Sequence, residues 1–396
     1  MINPPLALYV HIPWCVRKCP YCDFNSHVHH GELPEVEYVR ALLEDLERDA
    51  RAVAGRSVET VFLGGGTPSL FHPDSIAALL AGIRARVPVA EAAEITLEAN
   101  PGTIEHGRFA GYRDAGVNRV SLGAQSFGAR QLELLGRIHA AADIPRAVGE
   151  LASAGIGNFN LDLMYVLPEQ SLDGALGDVA AALACAPPHL SYYQLTLEPG
   201  TVFHARPPRL PDEELAAVIE AHTHVRLAAA GFVRYEVSAW SRPGAECRHN
   251  LNYWRFGDYL GIGAGAHGKL TDAARGTIWR TEKPKQPREY LAVVARGGPI
   301  GTLSAVPPAA RPFEYMLNAL RLAEGFDREC FEATTGLGCA AIAPVLADAQ
   351  ARGLLAATAT GWRPTKLGTR FLNDLQAMFL PGRGQPTESP ARSRAQ

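Results

Sequence analysis

Hydrophobic and polar positions along this chain follow two rhythms that take turns. Leu6, Ala7, Leu8, Tyr9 and Val10 form an unbroken apolar run of strand character, and residues 35–53 then place Leu42, Leu43, Leu46, Ala50 and Val53 at the spacing of one helix face. A second strand over 58–63 runs straight into Gly64-Gly65-Gly66-Thr67-Pro68. The alternation recurs, with strands near 95–98, 119–123, 159–163 and 190–197 and helical stretches around 76–86, 108–115, 144–154 and 172–185. Counting the first strand, that makes six strand-helix units, and strands separated by helices at this rhythm pair in parallel. The predicted fold is α/β, a partial (β/α)6 TIM-type barrel whose working residues sit at the C-terminal strand ends.

Polar residues fall at those ends. A cysteine-rich loop follows the first strand and Gly64 to Thr67 the second; Glu98-Ala99-Asn100-Pro101 closes the third and Gln125-Ser126 follows the fourth; Asp162 lies on the fifth and Thr196 at the sixth. Each has an ordinary reading by itself: a glycine triplet makes a tight turn, and a lone carboxylate caps a helix. Six polar ends in one barrel are harder to dismiss.

The second half is patterned differently. Pro207-Pro208-Arg209-Leu210-Pro211 reads as a linker into a helix over 212–230 with Asp212 as its N-cap, and a strand over 233–239 follows. Cys247-Arg248-His249-Asn250-Leu251-Asn252-Tyr253-Trp254 is expected as an ordered loop. Gly261-Ile262-Gly263-Ala264-Gly265-Ala266-His267-Gly268 opens no helix, so it fails as a dinucleotide fingerprint. From 307 on, helical patterns at 313–322 and 339–352, short strands at 354–357 and 361–363 and a helix over 365–379 read as a winged-helix-like accessory unit. The division is therefore a barrel over 1–206, a barrel extension over 207–306, a C-terminal unit over 307–380 and a disordered tail over 381–396.

Charge and cysteine content narrow the chemistry. Charged residues are 20% of the chain and the net charge is −3, so no basic field draws in nucleic acid or an anionic membrane. The helix over 340–352 is alanine-rich with one arginine, a poor surface for phosphates. No charged-then-apolar leader and no membrane-length apolar run is visible, and seven is an odd number of cysteines, so a cytoplasmic protein with reduced thiols is expected.

Three of those cysteines lie within eight residues, as Cys15-x3-Cys19-x2-Cys22. A structural zinc site would use four ligands, usually in two pairs, and no second pair follows, although His11 or His27 could complete a zinc knuckle. Three thiolates on one loop, with Pro20 between the second and third, suit a [4Fe–4S] cube with one iron left open for chemistry.

Tyr9-x-His11-Ile12-Pro13-x-Cys15-x3-Cys19-x-Tyr21-Cys22-Asp23-Phe24, then Gly64-Gly65-Gly66-Thr67-Pro68, Glu98-x-Asn100-Pro101, Gly116-Val117-Asn118-Arg119, Gln125-Ser126-Phe127, Leu135-Gly136-Arg137-x-His139 and Asp162-Leu163-Met164, resemble the radical S-adenosylmethionine proteins of the coproporphyrinogen III oxidase group. The resemblance runs in order through nearly all of 5–380. It implies Cys15, Cys19 and Cys22 as cluster ligands and a S-adenosylmethionine pocket of Tyr9, Tyr21, Gly65, Gly66, Thr67, Glu98, Gln125, Arg137, Asp162 and Thr196. Glycines would let backbone donors approach the methionine part, and carboxylates would accept from ribose hydroxyls or the amino group.

Within that group the chain is most similar to a haem-chaperone branch, through the H-N-x-x-Y-W arrangement that places His249, Tyr253 and Trp254 at haem, with Cys247 as a softer alternative ligand. The branch implies haem as cargo and apo-haemoproteins as acceptors, and it leaves room for a haem donor and a homodimer. Two departures bear on this. Val166 stands where the group commonly has glycine, and Phe24 replaces a further cysteine of the decarboxylating oxidases, which argues against their activity here. The rival readings are an oxygen-independent coproporphyrinogen III oxidase and a radical enzyme that modifies nucleic acid.

Overall fold

Six apolar runs pair side by side in the computed structural model, which describes residues 1–102 and 107–381. They are β1 Leu6–Ile12, β2 Val58–Gly65, β3 Val89–Ala99, β4 Arg119–Gln125, β5 Phe159–Tyr165 and β6 His189–Gln194, each parallel to the next. Helices α1 Glu35–Ala50, α2 Pro73–Arg84, α3 Phe109–Ala115, α4 Asp143–Ser153 and α5 Leu172–Ala184 make the crossovers between them. Parallel strands are covered on both faces, and β4 is buried at every position, its polar Arg119, Ser121 and Gln125 included.

Among the described residues this sheet has twelve strands and does not close. After α6 Glu213–Ala229, whose N-cap Asp212 accepts from the Leu215 amide, β8 Ala239–Ser241 adds antiparallel to β6 and β7 Val233–Arg234 adds antiparallel to β8 at the edge. The strand expected over 233–239 is thus two short strands that pair with each other. On the other edge β9 Asp258–Ile262 lies parallel to β1 as a seventh barrel strand, followed by antiparallel β10 His267–Asp272, β11 Thr277–Glu282 and β12 Thr302–Ala305. A buried ion pair pins this addition: Asp258 meets Lys269 at 2.9 Å and Arg56 at 2.8 Å.

The glycine-rich stretch makes the turn from β9 to β10. Gly263 adopts φ +104°, and a Cβ there would stand 2.4 Å from the His11 carbonyl oxygen. No other residue fits so close an approach of two backbones. α1 fastens the same turn, because buried Asp45 accepts from the Gly263 amide, Lys283 and the Tyr290 hydroxyl.

The segment expected as a loop between Cys247 and Trp254 is instead a helix, α7 Arg248–Trp254. The Glu94 carboxylate, in the middle of β3, accepts from the Arg248 and His249 amides at 3.3 and 3.1 Å. An anionic cap on the first amides favours the helix, and this one is supplied from a distant strand.

Two further helices matter here, α8 Pro287–Arg296 beside α1 and α9 Arg311–Ala319 in the C-terminal unit. That unit also contains a helix Arg328–Thr335 that the pattern did not suggest, and its last predicted helix breaks at Phe371 into Lys366–Arg370 and Leu372–Ala377. Its core is a second apolar cluster that takes in Phe256 and Ile278 from before residue 307. Among the described residues no helix is long and apolar enough to cross a membrane. Of the tail expected to be disordered, residues 382–396 lie outside the described residues.

Candidate functional site

The cysteine loop leaves the C-terminal end of β1 and folds back on itself. Trp14–Cys15 pairs with His27–Val28, Lys18 Nζ donates to the Phe24 and Ser26 carbonyls at 3.2 and 3.3 Å, and the Asn25 amide group donates to the carbonyls of Ala264 and Lys285. The end of β2 locks against it, since the Gly66 amide donates to Ile12 O and the Thr67 amide to Trp14 O, both at 2.8 Å. A Cβ on Gly66 would lie 2.5 Å from the Trp14 carbonyl oxygen. Gly66→Ala is therefore expected to push the loop aside at a cost of about 1–3 kcal/mol and to lower bound iron. Parental iron content together with a parental melting temperature would count against this packing.

All three loop thiols are free and half-buried, and each has a polar side chain beside it. Thr67 Oγ1 donates to Cys15 Sγ at 3.5 Å, Arg137 Nη1 to Cys19 Sγ at 3.8 Å, and Ser26 Oγ lies 3.8 Å from Cys22 Sγ. Asn100 joins the first two contacts: its Nδ2 donates to Thr67 Oγ1 at 3.1 Å and its Oδ1 accepts from Arg137 Nη2. A chain of hydrogen bonds thus runs from Cys15 to Cys19 across the ends of β2 and β3. Asn100 was absent from the expected site residues, although it stood in the motif at the end of β3 that pointed to Glu98.

Among the described residues no three His, Cys, Asp or Glu side chains converge as a mononuclear metal site would require. Three thiolates that cap separate corners of a cube do not converge either. His11 has both ring nitrogens engaged, Nε2–H donating to Asn25 O and Nδ1 accepting from Tyr9 O–H, and His27 Nε2 is turned to Asn25 Oδ1. That leaves the zinc reading without a fourth ligand at His11. Arg137 Nε, buried and without a hydrogen-bond partner among the described residues, fits a sulfur-rich anion held beside Cys19.

Two carboxyls face each other inside the rim. Burial, and then the neighbouring Asp162 charge, pushes Glu98 up to about 8 against the pull of the Gly65 amide, which donates to Glu98 Oε2 at 3.0 Å. Burial also raises Asp162, which accepts from Asn160 at 2.7 Å and from Ser121 at 3.3 Å. The amides of Gly65, Gly66 and Thr67 are thus all spent on the protein. The expectation that glycines here expose backbone donors is corrected: this stretch has only acceptors left to offer.

Gln125 ends β4 at φ +66°, a strained conformation for a residue with a Cβ, and its Oε1 accepts from the Tyr193 hydroxyl at 2.8 Å. Tyr21 packs on Phe203 beside Arg137 and Cys19. Thr196 is not gathered in; it lies exposed, two residues past the end of β6. Val166, where the resemblance expects glycine, is buried at φ +58°, so the backbone has the shape that glycine would adopt and a β-branched side chain bears the strain.

The H-N-x-x-Y-W segment divides. His249 is 1% exposed, with Nδ1 2.8 Å from Thr60 Oγ1 and Nε2 2.9 Å from the Tyr253 hydroxyl, so both nitrogens are taken. Cys247 is buried against Glu94, and burial pushes its thiol up to about 11, which corrects the expectation of a softer ligand there. Tyr253 and Trp254 instead face a cavity of about 760 Å3. Its walls include Tyr9, Gly65 and Glu98 at the rim and Phe24 of the cysteine loop, and Leu317 of α9 closes its far side.

Comparison with known proteins agrees with this layout. Residues 9–178 match the radical SAM superfamily and residues 306–371 match the HemN C-terminal domain. The heme chaperone HemW of Escherichia coli is 51% identical over 95% of this chain and 98% of its own length, and that of Haemophilus influenzae is 47% identical over 95% and 98%. Coproporphyrinogen III oxidase (HemN) from Escherichia coli superposes with a TM-score of 0.80 over 95% of this chain and 90% of its own, at 24% identity, which establishes a shared fold. A chain that keeps half its residues in common with such relatives over almost its whole length belongs to the HemW family of radical S-adenosylmethionine proteins.

Proposed function

We propose that this protein binds haem in the cytoplasm and passes it to apo-haemoproteins, with a [4Fe–4S] cluster and S-adenosylmethionine housed in the barrel. What carries the reading is the near-full-length identity to heme chaperones, with no large part of either chain left unmatched. Cys15, Cys19 and Cys22 would hold three irons. Glu98 and Asp162 would accept from the amino group and ribose hydroxyls of the cofactor, and Tyr9 would line the same wall. When bound, the pair supplies one-electron chemistry at an open iron.

This chain's own residues shape that site. Thr67 and Arg137 direct hydrogens at Cys15 and Cys19 and Ser26 Oγ lies beside Cys22, contacts that favour the thiolates against the burial that raises Cys15 and Cys22. Asn100 fixes two of those donors.

The oxidase reading draws on the fold likeness and on the match to the HemN C-terminal domain, and Phe24 stands 60% exposed on the loop where that chemistry would have a further cysteine. The nucleic-acid reading is weaker still. The helix Ala343–Ala351 carries no cation, and Arg352 just beyond it faces Asp348 at 3.8 Å. The test is anaerobic reconstitution followed by three assays on one preparation: haem binding by the Soret band, haem transfer to an apo-haemoprotein, and decarboxylation of coproporphyrinogen III. Binding and transfer without decarboxylation are expected. Turnover of coproporphyrinogen without transfer would overturn the proposal.

A further inference from the structure

The cavity beside the cysteine loop has two ends. The inner end, at Tyr9, Gly65 and Glu98, belongs to the cofactor rim, whereas the outer end lies between the cysteine loop, α7 and the hairpin of β10 and β11. Its walls carry four cations, Lys18, Lys269, Arg280 and Lys285, against two carboxyls, Asp23 and Glu98. Two of the cations are committed: Lys269 to Asp258, and Arg280 to the Tyr259 hydroxyl and Glu314. The other two are not. Lys285 is 67% exposed, with Glu282 as its one ionic neighbour among the described residues, at 3.9 Å, and Lys18 uses two of its three N–H groups on backbone carbonyls.

Imidazoles sort the same way. An iron ligand needs a free ring nitrogen, and both nitrogens are taken in His11 and in His249. His267 heads β10 on the cavity wall, its side chain 58% exposed, with Glu282 4.0 Å from Nε2 as its nearest ionic neighbour. At that distance Glu282 is a charged neighbour and not a hydrogen-bond partner, so both ring nitrogens of His267 are without a hydrogen bond among the described residues. Tyr253 and Trp254 line the same cavity, Trp254 with the Arg321 guanidinium 4.3 Å over its ring.

We infer that the outer end of this cavity takes an iron porphyrin dicarboxylate, with His267 on the iron, Tyr253 and Trp254 against the ring, and Lys18 and Lys285 at the two carboxylates. His249 is a positioning residue in this arrangement: its imidazole meets the Tyr253 hydroxyl from behind and does not touch the iron. The inference rests on the haem-chaperone reading above and assigns that reading's cargo to particular side chains.

The probes are ferric haem, its dimethyl ester and iron-free protoporphyrin IX, each titrated into reconstituted full-length protein. His267→Ala is expected to shift the Soret band and weaken haem at least tenfold, while protoporphyrin IX binds as in the parent. His249→Gln, which can still reach Thr60 and Tyr253, is expected to leave the Soret position unchanged. Lys285→Glu should weaken haem several-fold and leave the dimethyl ester unaffected. An unmoved Soret band and parental affinity in His267→Ala, a moved band in His249→Gln, or loss of protoporphyrin IX together with haem in His267→Ala would each overturn the assignment. Failure of the parent to bind haem at all would instead overturn the chaperone reading.

Discussion

Cys19→Ala is expected to leave the reconstituted protein essentially free of iron and sulfide. Cys19 sits in the middle of the three-thiol loop, and Arg137 Nη1 points at its sulfur. Without it two thiolates remain, and they hold a cube poorly. The loss should be specific. Cys185 lies half-buried at the end of α5, far along the chain from the loop, and Cys185→Ala should keep parental iron. The loop itself should survive, because its hydrogen bonds run through backbone groups, Asn25 and Lys18 rather than through sulfur. Iron and sulfide assays with a melting curve decide the matter. Parental iron in Cys19→Ala, or zinc in the parent after anaerobic work-up, would sink the cluster assignment.

Glu98→Gln is expected to change both cofactor affinity and the pH response of the cofactor-free protein. Burial and the Asp162 charge raise Glu98 to about 8 from an ordinary value of 4.5, so the folded state keeps a proton that the unfolded chain releases. The stabilising contribution is therefore fully present below about pH 4.5 and is lost as pH rises through about 8. The melting temperature of the parent should fall over that window. In Glu98→Gln the fall should be shallower, with a remainder from Asp162, which burial raises in the same direction.

A cationic ligand reverses the preference by favouring the carboxylate. S-adenosylmethionine affinity should therefore rise between about pH 6 and 8 in the parent and rise less steeply in Glu98→Gln, where only Asp162 is left to respond. Tyr9 and the Gly65 amide also face this carboxyl, and neither changes charge in that range: burial raises the Tyr9 hydroxyl well above its usual value, and an amide does not titrate. Losing an ionised acceptor costs roughly 1.5–3 kcal/mol, about ten- to a hundredfold in affinity. Calorimetry showing equal affinity in parent and variant across that range, with the cluster intact, would move the cofactor away from Glu98.

Much of the barrel and its rim was legible from residue order alone, for a physical reason. A strand buried on both faces is largely apolar and a crossover helix is apolar on one stripe, and both patterns are local. β1 to β6 with their helices therefore stood in the pattern, as did the cysteine spacing and the polar residues at the strand ends. Family motifs then attached a cofactor to those ends, which spacing could not have done.

Other features depended on partners far away in sequence. α7 is helical although its own residues suggested a loop, because Glu94, more than 150 residues earlier, caps its first amides. The seventh parallel strand, β9, is held by Asp258 against Lys269 and Arg56, and neither contact shows in the sequence around it. His249 and His267 illustrate the limit best. By motif His249 was the conspicuous histidine and His267 part of a glycine-rich turn. Tertiary packing buried the first between Thr60 and Tyr253, while the approach of Gly263 to His11 O let the chain turn and carried the second to the cavity wall. Which residue types could do chemistry was written in their order; which of them keeps a free nitrogen was decided by hydrogen bonds made across the fold.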